Sequence, residues 1–187
     1  MAAYLSSPEP VEFFLDPGEF QFGDARTRIR TLLGSCVAIS VWHPVLRHGG
    51  MCHYLLPDRA SAPHAGDGRY ADGALSLFMR ELAARGTQPG DYEVKLFGGG
   101  RMFAPRPSRG VVEAIDVGRL NIEAGRRLLR RHGFRIRAEH LAGDGHRHLV
   151  FDVASGDVWV RHVAGAAADF DQCPASGRWA DACPAAG

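Results

Sequence analysis

The chain of 187 residues has no apolar run near the roughly 18 residues that a membrane-crossing helix needs. Its first segment, Met1–Pro10, lacks a basic stretch followed by an apolar one, so no secretory signal is expected. Neither sign of charge dominates: 22 Lys and Arg stand against 21 Asp and Glu, for a formal net charge of +1. That balance calls for no nucleic-acid partner and no membrane insertion. Cysteine is sparse. The 4 cysteines, Cys36, Cys52, Cys173 and Cys183, form neither a C-x-x-C pair nor a small disulfide framework, which points to a reduced, cytoplasmic protein. The scattered His and Cys lack zinc-ligand spacing, so no metal is expected. Gly98-Gly99-Gly100 has no following Lys-Ser/Thr and does not make G-x-G-x-x-G, so it is no phosphate cradle. It reads as a loop that another backbone approaches closely.

What is present is ordinary for a globular chain, with 45% hydrophobic and 23% charged residues. The length suits one domain. Patterned sequence runs over residues 11–165, after a flexible N-terminus at 1–10. Residues 166–187 are rich in Ala, Gly, Pro and Asp without periodicity and read as a disordered or weakly docked tail, in which Trp179 is the one candidate anchor.

Short strands are expected at Val11–Leu15, Phe20–Phe22, Arg28–Leu33, Val37–Trp42 and Gly49–Leu56, from alternation and β-branched content. Leu75, Phe78, Met79 and Leu82 fall on one stripe of a helix that Gly86 stops. Tyr92–Phe97 is a further strand. A second helix is expected over Val117–His132, with Leu120, Ala124, Leu128, Val117 and Leu129 on its apolar face. Its Arg126, Arg127, Arg130 and Arg131 read as a solvated face, with docking of acidic partners as the alternative. Phe134–Leu141, His148–Val153 and Val158–Val163 complete the strands, the last two joined by a tight turn at Ala154–Asp157. The sum is an α+β fold, mainly antiparallel strands with two principal helices.

Gly34-Ser35-Cys36 lies between two strand-like runs. A cysteine at a strand end has backbone N–H groups nearby that can form an oxyanion hole. A free thiol, with a pKa of about 8.5, needs a neighbouring base to act at neutral pH. His53 is the candidate, because a hairpin through Pro44–His48 returns its strand antiparallel toward Cys36. Such a pair is expected to hold a thiolate beside an imidazolium, with the thiol pKa below its free value. Taken singly, Cys36 and His53 read equally well as core residues. Cys52 adjoins His53, but successive strand side chains face opposite ways, so Cys52 is expected in packing.

The run Thr31-Leu32-Leu33-Gly34-Ser35-Cys36-Val37-Ala38 resembles the signature of the CheD family, chemoreceptor glutamine deamidases. So do Gly49-Gly50-Met51-Cys52-His53-Tyr54-Leu55-Leu56-Pro57, Arg69-Tyr70-Ala71-Asp72, Phe97-Gly98-Gly99-Gly100-Arg101-Met102-Phe103, and Gly118 with Asn121. The resemblance implies an αβ sandwich similar to bacterial cytotoxic deamidases. It implies hydrolysis of receptor Gln side chains to Glu with release of ammonia, through a Cys thiolate and a thioester, without cofactor. It implies Cys36 and His53 as catalytic residues and Gly34 and Ser35 as the oxyanion loop. A family threonine that orients the histidine maps to Thr31; some members carry it one residue earlier, where this chain has Arg30, and one step changes strand face. The partners implied are methyl-accepting chemotaxis receptors and a CheC-like phosphatase. A different class of reading is a binding module that docks such a phosphatase or receptor tails without catalysis.

Overall fold

A computed structural model describes residues 9–57, 66–102 and 116–164. The expected tail, with Trp179, Cys173 and Cys183, lies outside the described residues. The strands are β1 (Val11–Leu15), β2 (Phe20–Gly23), β3 (Thr27–Leu33), β4 (Val37–His43), β5 (His48–Tyr54), β6 (Glu93–Gly98), β7 (Arg135–Leu141), β8 (His146–Asp152) and β9 (Val158–Val163). The helices are α1 (Ala71–Ala84), between β5 and β6, and α2 (Val117–Arg131), between β6 and β7.

The strands form two sheets, one ordered β1-β3-β8-β9 and the other β2-β5-β4-β6-β7. Pairing is antiparallel except at β1/β3 and β6/β7. This is the expected α+β sandwich of mostly antiparallel strands. Alternation along the five-stranded sheet sorts its side chains into two cores. Val37, Ile39, Val41, Cys52, Tyr54, Val94 and Leu96 meet Leu75, Phe78 and Leu82 of α1 and Leu128 and Leu129 of α2. Ala38, Met51 and Phe97 point the other way, onto Ile29, Leu33, Leu149 and Phe151 of the four-stranded sheet. The layers are therefore helices, five strands, four strands.

The buried face of α2 differs from the expected one. Leu120 is only half-buried, whereas Gly118, Asn121, Ile122, Ala124, Gly125, Leu128 and Leu129 are buried. Large apolar residues were a poor guide because glycines make this face. A Cβ on Gly125 would lie 2.4 Å from the Tyr54 hydroxyl, and one on Gly118 would lie 2.6 Å from the Gly99 carbonyl oxygen. Their absence brings α2 down onto the sheet and rotates Asn121 inward.

The Gly98-Gly99-Gly100 run is the close-approach loop that its composition suggested. Gly98 has φ +110°, and a Cβ there would sit 2.2 Å from the Cys36 carbonyl oxygen. The amides of Gly99 and Gly100 donate to the carbonyls of Cys36 and Gly34, each at 2.8 Å. Gly98→Ala is expected to destabilise the fold by at least about 1–3 kcal/mol from backbone strain alone, with the collision added. Urea unfolding reads this, and an unchanged midpoint would show that the loop yields freely.

Candidate active site

Thr31 lies on β3, His53 on β5 of the other sheet, and Cys36 in the turn between β3 and β4. Ala38 pairs with His53 and Val37 with Tyr54 across β4/β5. Cys36 lies two residues before Ala38 and packs against the inter-sheet core that holds Ala38 and Met51. His53 and Cys36 both border the inter-sheet core, His53 through its bond to Thr31 and Cys36 by packing on that core. Cys52 faces the helices and is fully buried, which pushes its thiol up to about 12.

Thr31 crosses the gap from the other sheet. Its hydroxyl is 2.8 Å from the Leu15 carbonyl oxygen and 2.9 Å from His53 Nδ1. A carbonyl only accepts, so the single hydroxyl proton goes to Leu15 and the threonine oxygen accepts from Nδ1–H. Neutral His53 then carries its proton on Nδ1 and leaves Nε2 as the base. Nε2 is buried and has no hydrogen-bond partner. The neighbouring turn holds the residue from behind: His53 donates its amide to Glu19 (3.0 Å) and accepts from the Gly18 amide (2.6 Å). Arg30 points to the opposite face, where it meets Glu12 at 3.4 Å, so Thr31 is the threonine in register with the histidine.

Electrostatics run against the ion pair that the sequence suggests. Burial raises the Cys36 thiol above its ordinary value, opposed by its own backbone N–H. Burial lowers the His53 imidazole, opposed by the Leu15 carbonyl and by the charges of Asp16 and Glu19. Both shifts favour a neutral thiol beside a neutral imidazole at rest.

The turn that carries Cys36 is anchored on every carbonyl. Besides the two bonds from the glycine loop, Asn121 of α2 donates its side-chain amide to the Ser35 carbonyl at 3.1 Å and to the Leu55 carbonyl at 2.7 Å. One fully buried amide thus ties the segment that bears Cys36 to the segment that follows His53. Gly34 is compact of necessity, because a Cβ there would strike Met102 Sδ at 2.6 Å. Arg147 of β8, also buried, donates Nε to His140 Nδ1 at 2.8 Å and lies against Gly100 of the same loop. The sequence reading gave neither Asn121 nor Arg147 a role; a polar residue within the glycine-spaced face of α2 was the available signal. Asn121→Leu, of similar volume, leaves both carbonyls without that donor. It is expected to cost about 1–3 kcal/mol and to slow Cys36 alkylation, and calorimetry with timed iodoacetamide labelling reads both.

With this geometry in place, comparison with known proteins is informative. A family model described as "CheD chemotactic sensory transduction" matches residues 55–162. A relative from Dechloromonas aromatica, "Probable chemoreceptor glutamine deamidase CheD 3", is 48% identical over 85% of this chain and 92% of its own. The chain belongs to the CheD family. A Pseudomonas syringae pv. tomato member, "Probable chemoreceptor glutamine deamidase CheD", is 45% identical over 81% of this chain and 89% of its own. One from Chromobacterium violaceum, "Probable chemoreceptor glutamine deamidase CheD 1", is 41% identical over 90% and 86%. The family model begins after Cys36 and His53. Among solved structures, Bacillus licheniformis hypothetical protein YfiH gives a TM-score of 0.39 at 13% identity over 65% of this chain and 49% of that one. That likeness is too loose to carry an argument.

Proposed function

We propose that the chain is a chemoreceptor glutamine deamidase in which Cys36 is the nucleophile, His53 the base and Thr31 the residue that positions the base. The observation that carries this reading is the His53 ring, tied through Nδ1 to Thr31 and unpartnered at Nε2, at the inter-sheet core on which Cys36 packs. His53 Nε2 takes the Cys36 proton as sulfur attacks the carboxamide carbon of a glutamine. Backbone amides at Ser35 and Cys36 receive the oxyanion. The imidazolium returns the proton to the leaving nitrogen, which departs as ammonia and leaves a thioester. Water, deprotonated by the same Nε2, cleaves the thioester to glutamate and free thiol. No cofactor enters this cycle.

The substrates on this reading are the cytoplasmic parts of methyl-accepting chemotaxis receptors, which places the chain in the cytoplasm. No described helix is long and apolar enough to cross a membrane. Incubating the chain with receptor fragments, and reading ammonia together with the Gln-to-Glu mass change, tests the proposal. Tight binding without either product would favour the binding-module reading, whether for receptor tails or for a CheC-like phosphatase.

A further inference from the structure

Away from the site, an open groove of about 630 Å³ runs between α2 and β7. Arg126 and Arg130 wall it from the helix, and Arg135 and Arg137 from the strand. Phe134 and Ile136 add apolar surface, and both belong to or pack against the core beneath the helices. The single carboxylate in the wall, Glu139, is taken: Arg126 Nε donates to it at 2.9 Å, and that bond holds the Glu139 carboxyl below its usual range. Among the described residues, Arg130, Arg135 and Arg137 have no carboxylate within ion-pair distance, and all three are exposed. The chain as a whole is nearly neutral at +1, so this is a local concentration of cation and not general basicity.

The sequence reading treated the arginines of α2 as one face, solvated or, as the alternative, docking an acidic partner. The fold divides them. Arg126 and Arg130 turn toward the strand, where Arg135 and Arg137 complete a set that helix periodicity could not show. The three guanidinium groups left without a carboxylate around this partly apolar groove suit carboxylates, which a guanidinium fork binds bidentately.

We propose that this groove docks a carboxylate-rich polypeptide segment of a protein partner. A polypeptide suits it better than a phosphate backbone for two reasons. The groove mixes apolar surface with charge, and β7 is the end strand of its sheet, with β6 on one side and no strand on the other among the described residues. An end strand offers backbone donors and acceptors to an incoming chain.

Both walls lead to the site. α2 carries Asn121, which holds the Cys36 turn, and β7 ends at Leu141 beside Gly98. Helical rise puts Arg130 only about 14 Å along the axis from Asn121. On the deamidase reading, which this further step rests on, the docked segment belongs to the substrate and holds it while a glutamine reaches Cys36.

Two measurements test the proposal separately from that reading. The first is binding of a fluorescein-labelled, glutamate-rich peptide without glutamine, followed by anisotropy on the full chain. Arg130→Glu and Arg137→Glu are expected to weaken it at least tenfold each. Arg80→Glu, the same charge change at an exposed position of α1, is expected to weaken it less than twofold, and Cys36→Ala not at all. No binding, equal weakening by Arg80→Glu, or equally tight binding of an oligothymidylate of matched charge would overturn the docking site. The second is deamidation of a receptor fragment, where Arg130→Glu is expected to raise KM at least fivefold with kcat unchanged. An unchanged KM would detach the groove from the substrate. Absence of turnover in every variant, with peptide binding intact, would strike the deamidase reading alone.

Discussion

Cys36→Ala is expected to abolish ammonia release from glutamine-bearing receptor fragments, with a loss of at least about 10³-fold, the scale seen when a nucleophile is removed from a group that acts as a unit. The substitution changes one half-buried side chain at a strand end, so the fold is expected to survive it. Cys52→Ala is the matched control. Cys52 lies on the opposite face of the same sheet, fully buried against the helices, with its thiol pushed up to about 12. Its loss is expected to cost about 1 kcal/mol of stability and to leave the rate per folded molecule intact. Mass spectrometry of the receptor fragment reads both variants on one scale. Equal activity in Cys36→Ala and the wild type would remove Cys36 from the chemistry.

The second large effect concerns His53. His53→Gln keeps a polar side chain of similar reach beside Thr31 but cannot shuttle a proton. A loss of about 10²–10⁴-fold in turnover is expected, the range for a positioned general base. The pH dependence separates two ways the pair can work. Burial raises the Cys36 thiol above its ordinary value and lowers the His53 imidazole below its ordinary value, so near neutral pH both are neutral. The thiolate then forms only as substrate is attacked. Alkylation of Cys36 by iodoacetamide, in a chain lacking the other cysteines, is expected to rise with a midpoint above that of a free thiol, and His53→Gln is expected to leave that midpoint nearly unchanged. Activity is expected to hold from neutral pH into the range where an ordinary imidazole protonates and to fall only below it, as His53 takes up its proton. Strong alkylation well below pH 8 that disappears in His53→Gln would show a resting thiolate–imidazolium pair instead.

The element order was legible in the residues because local signals agreed with the final packing. Alternation in Val37–His43 and the glycines before Cys52 mark two strands of a hairpin, and that hairpin alone predicts that His53 returns toward Cys36. Period-two alternation also separates Cys52 from His53 without any coordinates. The LGSC run and its companions were enough to suggest the family. Other features depend on contacts between residues distant in sequence. That Thr31 and not Arg30 meets the histidine depends on which face of β3 looks across to the second sheet, and the stacking of the two sheets sets that. Asn121 was visible as part of the family resemblance but its role was not, because the inward face of α2 is made by glycines, whose contribution is close approach and not apolar bulk. The protonation state of the pair likewise needed the fold: a cysteine next to a histidine suggests an ion pair, and only the burial of both groups reverses that preference. The arginines of α2 looked like a solvated face until β7 brought two more beside them. Residue types and their periods determined the strands, the hairpin and the candidate pair; sheet stacking and helix approach decided which atoms meet, because those distances depend on all layers at once.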